Sequence, residues 1–404
     1  MLKIFAILML VQICHAQTTS WKLHIIDGEG SGADGVRLAD INGDSLLDVV
    51  SGWEESGVTK IYLNPGPNKV KEAWPVTAIG KTKSVEDAFF HDVDGDGNLD
   101  VITSCEGKNK VMFVHWNPGK DQLMNGKAWN QKEIPASRNL TLWMYSQAMD
   151  INGDNIPDLV AGGKSKNAQI GWFEVPKDRR NVEKYKYHKI SDAGWIMSIE
   201  KIDMNKDGHT DLLISDRYGN NSGIRWLQNP GTGADVEKEW KSHTIFKFPG
   251  KEKRQYLFLT TADFDKDGQF EIIFPSKKGI HILKKEDDQK MWKEFFISTS
   301  GVKCGGPKAV AVCDIDLDNK PEIILTCEHS EKKNGVVYFK YDSNPLSENW
   351  KWYPLSGTEK GIKYDRIEMV DLDGDGDLDL MTCEENEGPK SQGLGVIWYE
   401  NPAK

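Results

Sequence analysis

The stretch "MVDLDGDGDLDL", residues 369–380, places five aspartates within nine residues of a chain whose formal charge is −11. A single acidic run of this kind is ordinarily a solvated loop. Here the pattern D-x-[DN]-x-D-x-x-x-[DE] occurs seven times: "DINGDSLLD" at Asp40, "DVDGDGNLD" at Asp92, "DINGDNIPD" at Asp150, "DMNKDGHTD" at Asp203, "DFDKDGQFE" at Asp263, "DIDLDNKPE" at Asp314 and the copy at Asp371. The intervals between first aspartates are 52, 58, 53, 60, 51 and 57 residues. A spacing so regular over the whole chain marks one structural unit repeated, and no linker or low-complexity tract divides residues 17–404.

Each acidic nonamer runs directly into a short apolar segment such as "VITSC" or "IILTC", and β-branched runs bounded by turn residues read as buried strands. A second strand rich in aromatics follows, often closed by Asn-Pro, as in "KIYLNPG" and "GIRWLQNPG". A third begins at an aromatic residue: Trp74, Trp129, Tyr185, Trp240, Trp292 and Trp350. The seventh aromatic-led strand, "WKLHII" at Trp21, precedes the first acidic loop, whereas nothing equivalent follows the last. This predicts an all-β fold, a seven-bladed β-propeller of four-stranded blades whose N-terminal strand completes the last blade. Closure of that kind removes exposed sheet edges.

The loop chemistry accounts for the clustered charge. Oxygen ligands at alternate positions of a tight loop suit a hard cation such as Ca²⁺. The expected ligands are Asp40, Asn42, Asp44 and Asp48; Asp92, Asp94, Asp96 and Asp100; Asp150, Asn152, Asp154 and Asp158; Asp203, Asn205, Asp207 and Asp211; Asp263, Asp265, Asp267 and Glu271; Asp314, Asp316, Asp318 and Glu322; and Asp371, Asp373, Asp375 and Asp379. Position six is Gly or Asn in six copies and Ser45 in the first, so a left-handed turn is expected there and the Asp40 loop should be the weakest site. An EF-hand is excluded, because its twelfth position requires Glu and this chain has Thr103, Ile214 or Thr382. Seven bound Ca²⁺ would move the formal charge from −11 to about +3. The acidity is therefore assigned to structural metal sites, and the absence of a basic stripe argues against nucleic acid.

Residues 1–16, "MLKIFAILMLVQICHA", read as a cleaved secretory signal, which implies a secreted or periplasmic protein with no membrane anchor. Cys105, Cys304, Cys313, Cys327 and Cys383 are expected as small buried side chains and not as disulfides.

The acidic loops resemble the FG-GAP/VCBS repeats of integrin-type and bacterial propellers. "SVEDAFFHDVDGDG", "SCEGKNKVMFVHWNPG", "AGWIMS" and "CEENEG" resemble secreted bacterial propellers among carbohydrate-degrading enzymes. These include the propeller half of aldos-2-ulose dehydratase and dehydratases or lyases acting on uronic-acid oligosaccharides such as those of ulvan. The resemblance implies a dehydratase that eliminates water from such an oligosaccharide, with a lyase or a non-catalytic binding propeller as alternatives. It maps no catalytic residue onto this chain.

On a propeller, segments before each inner strand and after the next strand converge on the face opposite the acidic loops. The first set holds Asp34, Glu86, Asp87, Trp143, Tyr145, Trp195, Arg254, Tyr256, Lys308, Tyr364 and Asp365. The second holds Trp53, Glu54, Glu106, Lys164, Asp216, Arg217, Tyr218, Lys277, Glu328, His329, Glu384 and Glu385. His329 and Tyr364 are the candidate proton carriers, and Arg217, with Lys164 or Lys308 assisting, suits a sugar carboxylate because its fork binds two oxygens. Trp143, Tyr145, Trp195, Lys164 and Glu86 are the candidate substrate contacts. The repeated Cys-Glu at Glu106, Glu328 and Glu384 reads as a structural hydrogen bond, and His24, His188 and His243 as outer-strand packing. A monomer acting on an oligosaccharide is expected, and a further catalytic metal is left open.

Overall fold

A computed structural model describes residues 20–249, 257–286, 291–347, 349–358, 361–385 and 393–404. The N-terminal segment 1–16 and the candidates Arg254 and Tyr256 lie outside the described residues.

The chain forms seven four-stranded antiparallel sheets, one per acidic repeat. Six blades use four consecutive strands. The seventh uses Glu368–Val370, Asp379–Glu384 and Gly395–Glu400, and takes its outer strand from Lys22–Asp27 at the other end of the chain. His24 pairs with Trp398 across that junction, so the ring closes as the sequence predicts.

The second strand of every blade is buried, save for the half-buried ends at Lys164 and Glu328, because its two faces pack against the neighbouring blades. This explains why these strands read as continuous apolar runs. The outer strands alternate between exposed and covered positions.

The leading aromatics refine the sequence reading. Outer strands begin one or two residues after Trp21, Trp74, Trp129, Tyr185 and Trp240, whereas Trp292 and Trp350 open theirs. The first five are buried. They also tie down the preceding loop: Trp74, Trp129 and Trp240 donate Nε1–H to the carbonyls of Val70, Leu123 and Val236 at 2.8–3.0 Å. Each is an anchor with a polar handle, the usual role of a buried indole.

His24, His188 and His243 stack on Trp398, Trp172 and Trp226 with ring centroids 4.2–4.5 Å apart. Their Nε2 atoms meet Glu400, Glu174 and Gln228. All three are outer-strand packing, as expected. The five cysteines are free, four of them buried.

The acidic loops take the expected turn and add a second. Position six has positive φ in every copy, including Ser45 at 72°, Asn155 at 63° and Asn319 at 66°. Position four is also left-handed, at Gly43, Gly95, Gly153 and Gly374 and also at Lys206, Lys266 and Leu317. The first aspartate explains both turns by accepting the backbone N–H groups they present: Asp40 binds Gly43, Asp44 and Ser45 at 2.7–3.1 Å.

Candidate functional site

The acidic loops join each inner strand to the strand beyond it, so the opposite face is lined by the start of the inner strand and the end of the second. There the chain leaves a cavity of about 370 Å³ on the propeller axis. All seven blades contribute to it, through Asp34 and Glu54, Glu86 and Glu106, Tyr145 and Lys164, Trp195 and Arg217, Phe258, Lys308 and Glu328, and Lys363, Asp365 and Glu385.

A backbone device builds this lining. Five inner strands carry a register shift at the same place: between Asp34 and Arg37, Val85 and Asp87, Trp143 and Ser146, Ile196 and Ser198, and Pro307 and Ala309. A bulge puts an extra residue on one strand and re-aims its side chain. The residues inside these shifts include Glu86, Met144, Tyr145, Met197 and Lys308, all of which line the cavity.

Two lysine–carboxylate clusters dominate. Lys164 lies 3.2 Å from Glu86 and contacts Glu106, with Nζ 4.8 Å from the Trp195 ring centroid. Lys308 lies 3.2 Å from Asp365 and contacts Glu385, which also pairs with Lys363. Asp34 links the two, since its carboxylate comes within 4.8 Å of those of Glu54 and Glu86 on one side and Asp365 and Glu385 on the other.

Burial is the largest influence on the protons here. It pushes the Asp34 carboxyl well above the usual range, helped by Glu385, Asp365 and Glu86. It does the same to Glu86, even against the opposing pull of Lys164, and it pushes Glu385 up to about 7. Asp365 goes the other way: burial alone would raise it, but Lys308 and hydrogen bonds from Asp34 and Glu385 hold it below the ordinary carboxylate range. Lys308 stays charged because Asp365, Glu385 and Asp34 outweigh its desolvation. Carboxyls whose proton affinity burial raises therefore stand beside one whose affinity a lysine lowers, the pattern that separates acid from base in one site.

An aromatic wall faces these clusters. The Arg217 guanidinium sits 4.4 Å over the Trp195 ring. The Trp195 indole N–H is buried, with no hydrogen-bond partner among the described residues. Tyr145 is held by Arg366 and Gln147, both donating to its hydroxyl oxygen, and the Arg37 guanidinium lies 4.2 Å over its ring. Arg37 in turn forks onto Asp87 at 3.0 and 3.2 Å. Asp87 is therefore a brace beneath the cavity and not a lining group.

Arg217, Lys308, Tyr145, Trp195, Lys164 and Glu86 thus converge on one cavity. Three other candidates do not. His329 stands on the surface with its side chain 64% exposed, in a left-handed turn of φ 55°. Tyr364 is buried in the core, in a slot where a Cβ on Gly335 or Gly361 would strike its ring. Trp143 is buried between blades, edge-on to Phe173, with its indole N–H on the Ser137 carbonyl at 2.9 Å. The repeated Cys-Glu also divides. Glu106 and Glu328 line the cavity, while Glu384 accepts the N–H groups of Ile362, Lys363 and Leu394 as a structural cap.

Asp216 is structural too. It accepts the backbone N–H groups of Gly194 and Trp195 and pairs with Arg225 at 2.9 Å, both side chains almost fully buried. Arg225→Met would strand that carboxylate, and a loss of about 3–5 kcal/mol of stability is expected. A urea midpoint unchanged from the parent would contradict this role.

In the acidic loops, Asp92, Asp94 and Asp96 bring oxygens within 4.8 Å of one another. In the last loop, Asp373 Oδ1 and Asp377 Oδ1 are buried with no hydrogen-bond partner among the described residues, as are Asp265 Oδ1 and Glu271 Oε1 in the Asp263 loop, where the Lys284 ammonium stands 3.7 Å from Glu271 Oε1. Orphaned carboxylate oxygens in a tight loop fit a bound divalent cation.

The FG-GAP-like repeat matches residues 40–103, 150–214 and 203–274. No curated protein matches the chain. Among solved structures, BBS1N in complex with ARL6DN is 10% identical with a TM-score of 0.52, covering 94% of this chain and 96% of that one. The AfRom2 CNH domain is 12% identical with a TM-score of 0.52, covering 94% and 99%. An Agrocybe aegerita lectin described as recognising non-reducing terminal N-acetylglucosamine is 14% identical with a TM-score of 0.49, covering 81% of each chain. Likeness at these identities concerns the fold alone.

Proposed function

We propose, starting from a seven-bladed propeller that carries FG-GAP-like repeats, that the axial cavity turns over an acidic sugar by elimination. The uronic-acid-containing oligosaccharide inferred from the sequence is the substrate, and the product is an unsaturated uronate. The observation that carries this reading is the convergence, in one cavity, of Asp34 and Glu86, whose carboxyls burial pushes well above the usual range, with Asp365 and Glu106, each in contact with a lysine.

Removing the proton α to a carboxylate requires a base, a positive or hydrogen-bonding group on that carboxylate, and an acid for the departing oxygen. Asp365 or Glu106 takes the C5 proton. The C5–H electron pair becomes the C4=C5 double bond, the C4–O bond breaks, and Asp34 or Glu86 supplies a proton to the leaving oxygen. Arg217, flat against Trp195, meets the sugar carboxylate with its fork. Water leaves in a dehydratase, and a sugar hydroxyl leaves in a lyase.

Incubation with a panel of uronic-acid oligosaccharides, followed in the ultraviolet band of the unsaturated product, tests this directly. Absorbance that stays flat across the panel would discard the elimination. Binding without turnover would support a carbohydrate-binding propeller instead. That reading draws on the cavity lysines, each of which already contacts a carboxylate.

We propose further that Ca²⁺ fills acidic loops as a structural ion, and that the protein works outside the cytoplasm, after removal of its N-terminal segment.

The cavity also sets a pH dependence. Glu385 titrates near 7 when folded, against 4.5 for an ordinary glutamate. The folded chain therefore holds this proton more tightly than the unfolded chain. Its contribution to stability is full below about pH 4.5 and is lost as pH rises through about 7. The melting temperature of the parent should therefore fall more between pH 5 and 8 than that of Glu385→Gln. Equal slopes in thermal melts would refute the assignment.

A further inference from the structure

The seven acidic loops are not equivalent. In five blades the ninth loop position is Asp, and both its oxygens are taken by backbone N–H groups. Asp48 accepts from Ile41 at 3.0 Å and Asn64 at 2.8 Å, and Asp379 from Leu372 and Asn401, both at 2.9 Å. The second donor is always the residue before a proline that ends the third strand: Asn64, Asn117, Val175, Asn229 or Asn401.

The loops at Asp263 and Asp314 depart from this in three linked ways. No proline ends the third strand, which stays paired through Lys285 and Tyr341. The ninth residue is the longer Glu. Its Oε2 keeps the first backbone bond, from Phe264 at 2.9 Å or Ile315 at 3.0 Å, and its Oε1 turns toward a lysine. That lysine, Lys284 or Lys340, stands where the other blades carry Leu63, Trp116, Glu174, Gln228 and Glu400.

Lys284 Nζ lies 2.5 Å from Asp265 and 3.7 Å from Glu271, and contacts Asp267. Lys340 Nζ contacts Asp316 and lies 3.7 Å from both Asp318 and Glu322. Each ammonium is thus inserted among the carboxylates whose oxygens would otherwise converge on an ion. The cations near other loops are different in kind. Lys71 reaches only Asp373 of its loop, and Arg180, 55% exposed, reaches Asp94 and Asp96; neither meets the ninth residue.

We infer that the ammonium groups of Lys284 and Lys340 serve as the cation of the Asp263 and Asp314 loops, so these two take no divalent ion and at most five loops remain for one. The inference rests on the calcium reading of the remaining loops. Ca²⁺ needs six to eight oxygens at about 2.3–2.6 Å, and here three of them are engaged by a charge that cannot diffuse away. A group tethered on the paired strand competes at a high effective concentration. Both blades also made the same three changes together, which a chance surface lysine would not require.

Equilibrium dialysis of Ca²⁺ against the metal-stripped full chain tests this. The parent should bind no more than five ions, and the double variant Lys284→Gln/Lys340→Gln two more than the parent. Lys284→Arg should keep the parent's count. Six or seven ions on the parent would overturn the inference, as would a folded double variant with no added ions. If the double variant fails to fold, the parent's count decides. A parent that binds none while the double variant binds two would uphold the lysine substitution and end the calcium reading of the other five loops.

Discussion

Chelation of divalent cations should lower the melting temperature of the protein by on the order of 10 °C, and added Ca²⁺ should restore it. Each filled loop adds about 2.7 kcal/mol when the free ion is a hundredfold above its dissociation constant. About 1 kcal/mol moves the midpoint of a chain larger than 150 residues by roughly 2–4 °C or less. Several loops acting together give the stated size even if each is weaker than this. The effect should be dominated by the Asp371 loop, which crowds five aspartates and leaves Asp373 Oδ1 and Asp377 Oδ1 buried without partners. Two unit charges at 4 Å interact by about 4 kcal/mol at an effective dielectric of 20, so an empty loop of this composition is under real repulsion. Among the five loops left for an ion, the Asp40 loop should respond least, because Asn42 replaces one charge and donates to Asp44 at 2.9 Å while Ser45 holds the strained turn. A melt indifferent to chelator would remove the calcium assignment altogether.

The fold was legible because repetition amplifies a weak signal. One aspartate cluster says little, but seven at near-constant spacing fix the blade count, and the unpaired aromatic strand at Trp21 fixes the closure. The site was legible only by face. Alternation along a strand places Trp143 and Tyr145 on the same side, yet the bulge between Trp143 and Ser146 turns Met144 and Tyr145 into the cavity and leaves Trp143 in the core. Tyr364 was misplaced by a single residue: its neighbours Lys363 and Asp365 line the cavity while its own ring fills the core. Glu384 and Glu385 exchange roles in the same way. A one-residue shift reverses which face a side chain occupies, and no composition or spacing signal marks where a bulge falls. Lys284 and Lys340 show the same blindness for charge. Counting carboxylates ranks their loops among the most acidic, because the compensating lysine arrives from another strand.

Under the proposed elimination, that reversal decides which variants should lose turnover. Glu86→Gln and Asp34→Asn keep the shape of the cavity and remove the proposed proton donor, so on any uronate the parent converts, each should lower kcat by roughly 10²- to 10⁴-fold, the cost of losing a positioned acid. Arg217→Lys keeps the charge and loses the fork that meets a carboxylate, so it should raise KM as well as lower kcat. His329→Ala should leave both constants unchanged, because the imidazole stands on the surface outside the cavity. Tyr364→Phe should alter thermal stability and not the chemistry, because the ring sits in the slot over Gly335 and Gly361. Steady-state kinetics on the five proteins separate the two placements cleanly. Loss of turnover in His329→Ala or Tyr364→Phe with retention in Glu86→Gln and Asp34→Asn would move the reaction out of the axial cavity. Retention in all five would refute this assignment of catalytic residues.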